Sequence, residues 1–326
     1  MPQNLLEIVE NFKNQKVLVV GDLMLDEYLW GEVNRISPEA PIPILDIQSI
    51  TYVPGGAANT ASNISALEGR VFLVGVIGPE DKGKLLKEIL EKRGIQAQGI
   101  FIDENRKTTI KTRAIAKNQQ MIRLDSEDRN SIESAEEQKI LNFIREKIKE
   151  VNAVIISDYA KGVVTENLTK NIIEITRSNN VLCLVDSKAK DYQKYKNCNI
   201  IIPNEKELSQ ALGVEIRGEG QLLEAGKMLL SHVLCDNALV KRGANGMTLF
   251  GKDGNIFSFG AINKNPVDVS GAGDTAIATF TLALAAGADL QTAVIIASHA
   301  CSVVVGKVGT AVALPEELVK SLRTNL

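Results

Sequence analysis

Histidine is almost missing from this chain. Among 326 residues there are two, His232 and His299, each inside a helical pattern. With so few, neither a Ser-His-Asp triad nor a histidine-rich metal site is the expectation. Cysteine is scarce as well. Cys183, Cys198, Cys235 and Cys301 form no CxxC pair, and Cys183 and Cys301 have small or apolar neighbours. Buried free thiols are expected rather than a zinc or disulfide framework. No basic tract is present, and the net charge is only -3 with both signs interspersed. That composition points away from nucleic acid and from anionic membranes. No apolar run reaches the length of about 18 residues that a membrane span needs. The first sixteen residues, MPQNLLEIVENFKNQK, place acids within their apolar stretch and show no signal-peptide pattern. A cytoplasmic location is the expectation. Catalysis here must use carboxylates, lysines, backbone amides or a bound ion.

What is present is a large apolar share, 44% of residues, in a chain long enough for one large α/β domain with an appendage. Short β-branched runs at 16–22, 71–78, 153–158, 181–186 and 199–204 read as strands buried on both faces. Amphipathic segments lie between them. Asp81 is placed to cap a helix over 82–93, Ser134 one over 135–149, and Thr165 one over 166–178. This succession predicts a doubly wound, mostly parallel sheet. Ligands then bind beyond the carboxyl ends of the strands, where Asp22, Asp158, Asp186 and Asn204 stand. Two stretches break the alternation, 26–54 with prolines at 38, 41, 43 and 54, and 99–125 with strand-like alternation. Together they predict a small second sheet acting as a lid. The alternative is that they are edge strands of the main sheet.

The strongest chemical signal is Asp268-Val269-Ser270-Gly271-Ala272-Gly273-Asp274-Thr275, followed by an apolar helical segment over 276–287. Gly271, Ala272 and Gly273 would present backbone amides at a helix N-terminus, where the dipole favours a phosphate. Asp274 at the same place is either a helix cap or a base. As a base it would take the proton of a hydroxyl attacking a phosphoryl group held by the amides.

The GAGD sequence with Asp268 before it resembles the second signature of the ribokinase-like (PfkB) carbohydrate kinases. Gly55-Gly56-Ala57-Ala58-Asn59-Thr60-Ala61, with Gly75, Gly78 and Asp81 after it, resembles the first. The likeness covers essentially the whole chain, although Val269 stands where the family commonly has Thr. It implies a ribokinase-like fold, ATP and Mg2+ as cofactors, and Asp274 as the catalytic base. It further implies that Gly55, Gly56 and Asn59 meet the sugar with Asp26, or its neighbour Asp22. A tight turn is the plainer reading of the glycines. Asn204-Glu205-Lys206-Glu207 resembles the family's Asn-x-x-Glu motif, which places magnesium mostly through water; a helix cap is its plainer reading. Lys241, Gly243 and Gly246 fall in a turn that lies along the nucleotide in relatives. Asp268 and the turn 306–310 fall where many relatives bind a monovalent cation such as K+.

The lid sequences Arg35–Pro43 and 118–125, with Ser157–Gly162, resemble those of the heptose-7-phosphate kinases within this family. The implied reaction is phosphorylation of D-glycero-β-D-manno-heptose 7-phosphate at its anomeric hydroxyl. Asp158 and Lys161 then join the substrate residues. A substrate bearing a phosphate needs a cationic anchor away from the catalytic amides, and Arg35, Lys111, Arg113, Arg123, Lys161 and Lys188 are candidates, Arg123 first. In many relatives a nucleotidyltransferase domain follows the kinase. Here a single kinase domain over 1–326 is expected, with the second activity on another protein and a homodimer formed through the lid. A kinase of another sugar or nucleoside, and a sugar-binding regulator without catalysis, are the alternatives. A dinucleotide-dependent dehydrogenase would need GxGxxG after the first strand, and Gly21-Asp22-Leu23-Met24 does not supply it.

Overall fold

The computed structural model describes residues 5–117 and 119–324. Asn118, in the expected second lid strand, lies outside them. Among the described residues two sheets form. The strands of the first half are β1 (Lys16–Gly21), β2 (Leu23–Ile36), β3 (Pro43–Gly56), β4 (Arg70–Ile77), β5 (Gln96–Ile102), β6 (Thr109–Ala116) and β7 (Gln119–Ser126). The second half adds β8 (Ala153–Asp158), β9 (Leu182–Ser187), β10 (Ile200–Ile201), β11 (Asn237–Lys241), β12 (Met247–Gly251) and β13 (Ile256–Phe259). The helices are α1 (Leu5–Glu10), α2 (Ala57–Ala66), α3 (Asp81–Lys92), α4 (Ser134–Lys147), α5 (Glu166–Ser178), α6 (Glu205–Leu212), α7 (Glu219–Val233), α8 (Ala272–Ala285), α9 (Leu290–Val304) and α10 (Pro315–Thr324).

The main sheet runs β13-β12-β11-β10-β9-β8-β1-β4-β5. Its strands are parallel from β5 to β11, and only the β11–β12 and β12–β13 pairs are antiparallel. Alternation along β1 shows why it is covered on both sides. Val17 and Val19 belong to one core with α2, α8 and α9, whereas Leu18 and Val20 belong to the other with α4, α5 and α7. From β1 the chain builds outward through β4 and β5, then returns to the other side of β1 at β8. That reversal is the switch point at which open α/β sheets bind ligands.

The second sheet, β3-β2-β6-β7, is the expected lid. Its boundaries differ from the sequence reading. β2 and β3 pair from Leu23–Gly56 at the root to Ile36–Pro43 at the tip, longer than 26–54. The stretch 99–125 divides: residues 99–102 end edge strand β5 of the main sheet, and only β6 and β7 belong to the lid. Both readings of that stretch were thus half right. Two caps also move. Asp81 and Ser134 are first helical residues, after Glu80 and Glu133, while Thr165 caps α5 by accepting from Leu168 N–H.

Directly opposed strand residues share a face. Leu29 pairs with Ile50 and Ala114, and Ala114 with Ile122, so these lie on one lid face with Leu124 two residues on. Ile50, Ile122 and Leu124 are about half exposed there. The opposite face carries Asp26, Tyr28, Lys111, Arg113 and Arg123.

Candidate functional site

Helix α8 begins earlier than its apolar run suggests, because the glycine turn itself enters the helix. Gly271 is the N-cap at φ 79, and Asp274 is the third helical residue. A first-turn residue is not a cap, and no side-chain cap bond is made here. The first-turn amides of Gly273 and Asp274 have no intrahelical acceptor. The Ala272 amide is less free than expected, since it donates to Val269 O at 3.2 Å.

Asp274 is 5% exposed and its carboxylate is enclosed by three donors from two other elements. Asn59 Nδ2 donates to Oδ2 at 2.6 Å, Thr60 Oγ1 to Oδ1 at 3.2 Å, and the Tyr159 hydroxyl to Oδ1 at 2.6 Å. Asn59 and Thr60 stand in the first turn of α2, immediately after Gly55-Gly56. Burial pushes the Asp274 pKa above the ordinary carboxylate value, and the nearby Asp186 charge adds to this. Tyr159, Asn59 and Lys188 oppose it. A carboxyl with a raised pKa that still has charge-stabilising donors is suited to accept a proton near neutral pH.

Beside it lies an ion-pair chain. A Cβ placed on Gly273 would meet Lys241 Nζ at 3.4 Å and Asp186 Oδ2 at 3.8 Å. Lys241 and Asp186 pair at 2.9 Å. Lys188, two residues beyond Asp186, pairs with Glu207. Glu207 and Asn204 form a reciprocal capping box at the start of α6, so the plainer reading of that motif is realised. Of its neighbours, Glu205 holds Arg242 at 3.0 Å and Lys206 is exposed. Gly243 and Gly246, both at positive φ, shape a turn. With Lys241, Gly273, Ile262, Ser298 and Cys301 they line a cavity of about 180 Å³. A larger cavity of about 1040 Å³ opens elsewhere, where Cys235 and Asp236 precede β11, and contains none of the expected site residues. Asp268 accepts from the amides of Ser270 at 2.8 Å and Gly309 at 2.9 Å, which brings the 306–310 turn against the start of α8.

On the lid side, Asp26 pairs with Arg113 at 2.8 Å and abuts Gly55, where a Cβ would stand 3.0 Å from Asp26 Oδ2. Its neighbour Asp22 is not available to a ligand. Asp22 is 1% exposed and accepts from the amides of Tyr159, Lys161 and Val163. Asp158 is also committed, to the Ala160 amide, Tyr195 and Lys194. Both were expected at the substrate, and both instead support the loop after β8. Arg123 carries a partner too: it holds Asp125 through Nε at 2.9 Å and Nη2 at 3.1 Å. Lys111 joins Asp125 at 3.1 Å and Glu127 at 3.4 Å, and Lys161 pairs with Glu127 at 2.7 Å. Arg35 is well exposed beside Asp46.

The residues around Asp274 to which the sequence reading gave no role are Thr60, Tyr159 and Asp186. Asp186 was visible as a strand-end acid and Tyr159 sat inside a noted segment, but nothing in the spacing tied either to Asp274. That link crosses 115 positions for Tyr159.

Asp22 gives a test of this arrangement by pH. Burial, and next the Asp158 charge, push its pKa up to about 6 against the pull of its three amides. The unfolded value is about 3.9. The folded chain therefore holds this proton more tightly, so the contribution to stability is full below the unfolded value and lost as pH rises through about 6. Asn cannot titrate. Denaturant melts of wild type and Asp22→Asn from about pH 4 to pH 7 should show a stability difference that moves against the wild type as pH rises. A difference constant over that window would contradict the assignment.

A model of the pfkB family carbohydrate kinases matches residues 14–317. Proteins called bifunctional protein HldE are similar along most of the chain. That of Desulfatibacillum aliphaticivorans is 42% identical over 315 residues, covering 97% of this chain and 64% of the relative. That of Helicobacter pylori is 42% identical over 304 residues, covering 93% and 65%. The chain thus spans less than two thirds of the length of these relatives. Among solved structures, ribokinase of Arabidopsis thaliana complexed with ribose and ATP superposes with a TM-score of 0.76 at 19% identity, covering 95% of this chain and 99% of that one. Phosphofructokinase-2 of Escherichia coli in complex with potassium gives 0.78 at 19% identity, covering 95% and 98%. These two likenesses establish the ribokinase-like fold.

Proposed function

The chain belongs to the pfkB family of carbohydrate kinases, and from that membership and the site we propose that it phosphorylates D-glycero-β-D-manno-heptose 7-phosphate at the anomeric hydroxyl, using ATP. The observation that carries the chemistry is Asp274, a buried carboxylate in the same helical turn as the open amides of α8. The acceptor hydroxyl gives its proton to Asp274 while its oxygen bonds to the γ-phosphorus. The bond from that phosphorus to the bridging oxygen breaks, and ADP leaves. The first-turn amides and Lys241 face the charge that spreads over the transferring oxygens. Asp26, Arg113, Gly55 and Asn59 are the proposed sugar contacts, since a carboxylate accepts two hydroxyl bonds at once. Gly243, Gly246 and their cavity are proposed for the nucleotide.

Mg2+ is proposed beside Glu207 and Asp186, reached through water, since Glu207 already holds Lys188 and the Asn204 amide and Asp186 holds Lys241; this ion takes one or two carboxylates and otherwise water and phosphate oxygens. When bound, it would neutralise nucleotide charge. A monovalent cation such as K+ is proposed between Asp268 and the 306–310 turn. The exposed Ile50, Ile122 and Leu124 support a homodimer formed through the lid. Among the described residues no helix is long and apolar enough to cross a membrane; a cytoplasmic setting is proposed.

Choice of the heptose phosphate rests on the lid sequences and on the cations gathered there. Lys111, Arg123 and Lys161 share Asp125 and Glu127, and a substrate phosphate would compete with those acids. That competition tempers the expected effect of any single cation. Arg123→Ala should raise the KM for heptose 7-phosphate about 10-fold, the low end for losing a charge-assisted contact. The KM for ATP at saturating sugar should stay within a factor of about 2, and phosphate-free heptose should not distinguish the two enzymes. Equal losses for both sugars would make Arg123 a support of the lid. An ADP-release assay with heptose 7-phosphate against fructose, fructose phosphates and nucleosides tests the substrate itself.

A further inference from the structure

We infer that Tyr159 is a positioning residue for proton transfer, locking the Asp274 carboxylate so that Oδ2 is the oxygen that takes the acceptor's proton. The inference rests on Asp274 being the base. A carboxylate offers about two acceptor sites on each oxygen. Oδ1 is filled by the Tyr159 hydroxyl at 2.6 Å and the Thr60 hydroxyl at 3.2 Å. Oδ2 receives only Asn59, at 2.6 Å, and keeps a place for an incoming hydroxyl. Rotation of the carboxylate would break three bonds from two elements, so the two oxygens are not interchangeable.

The phenol serves as a donor throughout. Burial holds its pKa well above 10, and the charges of Asp274, Asp186 and Glu207 add to this. The titratable groups around Asp274 come from each neighbouring element. Tyr159 comes from the loop after β8, Asp186 from the end of β9 and Lys188 from just past it, Glu207 from α6 and Lys241 from β11. Helix α2 contributes the neutral Asn59 and Thr60.

The loop that presents Tyr159 is built from below with unusual investment. Asp22 Oδ2 accepts the Tyr159 amide at 2.7 Å and the Lys161 amide at 3.1 Å, Asp22 Oδ1 the Val163 amide at 3.1 Å, and Asp158 the Ala160 amide at 2.7 Å. Arg106, 7% exposed, donates to the carbonyls of Lys161 at 2.8 Å and Asp128 at 3.3 Å. Ala160 is held at φ 56, a left-handed angle that a residue with a Cβ adopts only when its surroundings enforce it. Gly162, at φ 89, leaves 2.0 Å between an added Cβ and Asn130 O. Three buried charged side chains and a strained backbone thus fix one short loop, and Tyr159 is the side chain by which it reaches Asp274. This is the use of Asp22 and Asp158 that their position at strand ends did not reveal.

Tyr159→Phe removes one hydroxyl and nothing else. The kcat should fall about 10- to 100-fold with the sugar KM within about 3-fold, since geometry at the reacting centre is lost but not sugar contacts. A donor that favours the charged carboxylate is also lost, so the acid limb of kcat/KM should move to higher pH. Carbon-13 NMR of labelled Asp carboxylates reads the same change in sugar-free enzyme, with the Asp274 signal identified by its loss in Asp274→Asn. Placing 3-fluorotyrosine at 159, a stronger donor of nearly the same shape, should move the titration the other way, and it serves if the Phe variant folds poorly. Unmoved titrations in both would overturn the inference and leave Tyr159 a packing residue. Failure of heptose 7-phosphate to turn over, with the NMR shift present, would instead remove the substrate reading alone.

Discussion

Asp274→Asn is expected to lower turnover about 100- to 10,000-fold, the usual cost of removing a general base. The protein should melt no lower than wild type. The reason lies in the donor shell. The carbonyl oxygen of an Asn at 274 can still accept from Tyr159 and Thr60. Its amide group would confront the Asn59 amide across 2.6 Å, but Asn59 can turn over and present its own oxygen instead. The turn gives up only the 3.4 Å bond from Asn63 Nδ2 to Asn59 Oδ1, Asn63 keeps its bond to the Asn59 carbonyl at 3.0 Å, and a charge is no longer buried. What is missing is a group that takes a proton. Steady-state ADP release together with a thermal melt checks both halves. Activity within a few-fold of wild type would sink the base assignment. A collapsed melt would mean that the charge, rather than the shape, holds α2 to α8.

Gly271→Val is the second large effect. Of the turn residues Gly271, Ala272 and Gly273, the structure puts the steric demand on Gly271. At φ 79 a side chain at 271 is strained, and its Cβ would sit 2.9 Å from Asn59 Nδ2. A residue with a Cβ in this region loses about 1–2 kcal/mol. The larger consequence is catalytic, because the displaced Asn59 is the group that orients Asp274 Oδ2. A misplacement of about 1 Å costs on the order of 100-fold in rate. Gly273→Ala is the control. Gly273 has no positive φ, and its Cβ would make ordinary contacts with the Lys241–Asp186 pair. The expected order of turnover is wild type, then Gly273→Ala, then Gly271→Val at roughly one hundredth. If the two variants lose activity equally, crowding of the amides is the cause and the Asn59 contact is incidental.

Much of this could be read from the chain because the signals were local. The strands of the parallel sheet are runs buried on both faces, and such runs need no partner to be seen. The GAGD turn is a helix start written in glycine. The Asn204–Glu207 spacing spells a capping box, and a capping box is what forms. What could not be read depends on which distant segments meet. Asp22 and Asp158 end strands at the switch point, where acids often face ligands. Here the loop after β8 folds back over them and consumes their lone pairs with amides. Arg123 alternates on its strand as expected, yet Asp125, two residues on, meets its charge. The split of 99–125 between two sheets was hidden for a similar reason. Alternation in that stretch is the same whether a strand pairs with β4 or with β2.

The β2–β3 hairpin of the lid leaves the body at a root where Leu23 faces Gly56 and Asp26 sits beside Gly55. From Asp26 to Ile36 the strand β2 continues for ten more residues, roughly 33 Å at the usual rise. Such a hairpin is a lever with its fulcrum at Asp26 and Gly55, the proposed sugar contacts. A rotation of about 10 degrees at the root sweeps the tip through about 6 Å. The bend at residues 37–42 therefore works as the needle of a gauge: it magnifies whatever happens between Asp26 and Gly55, far from any atom that reacts.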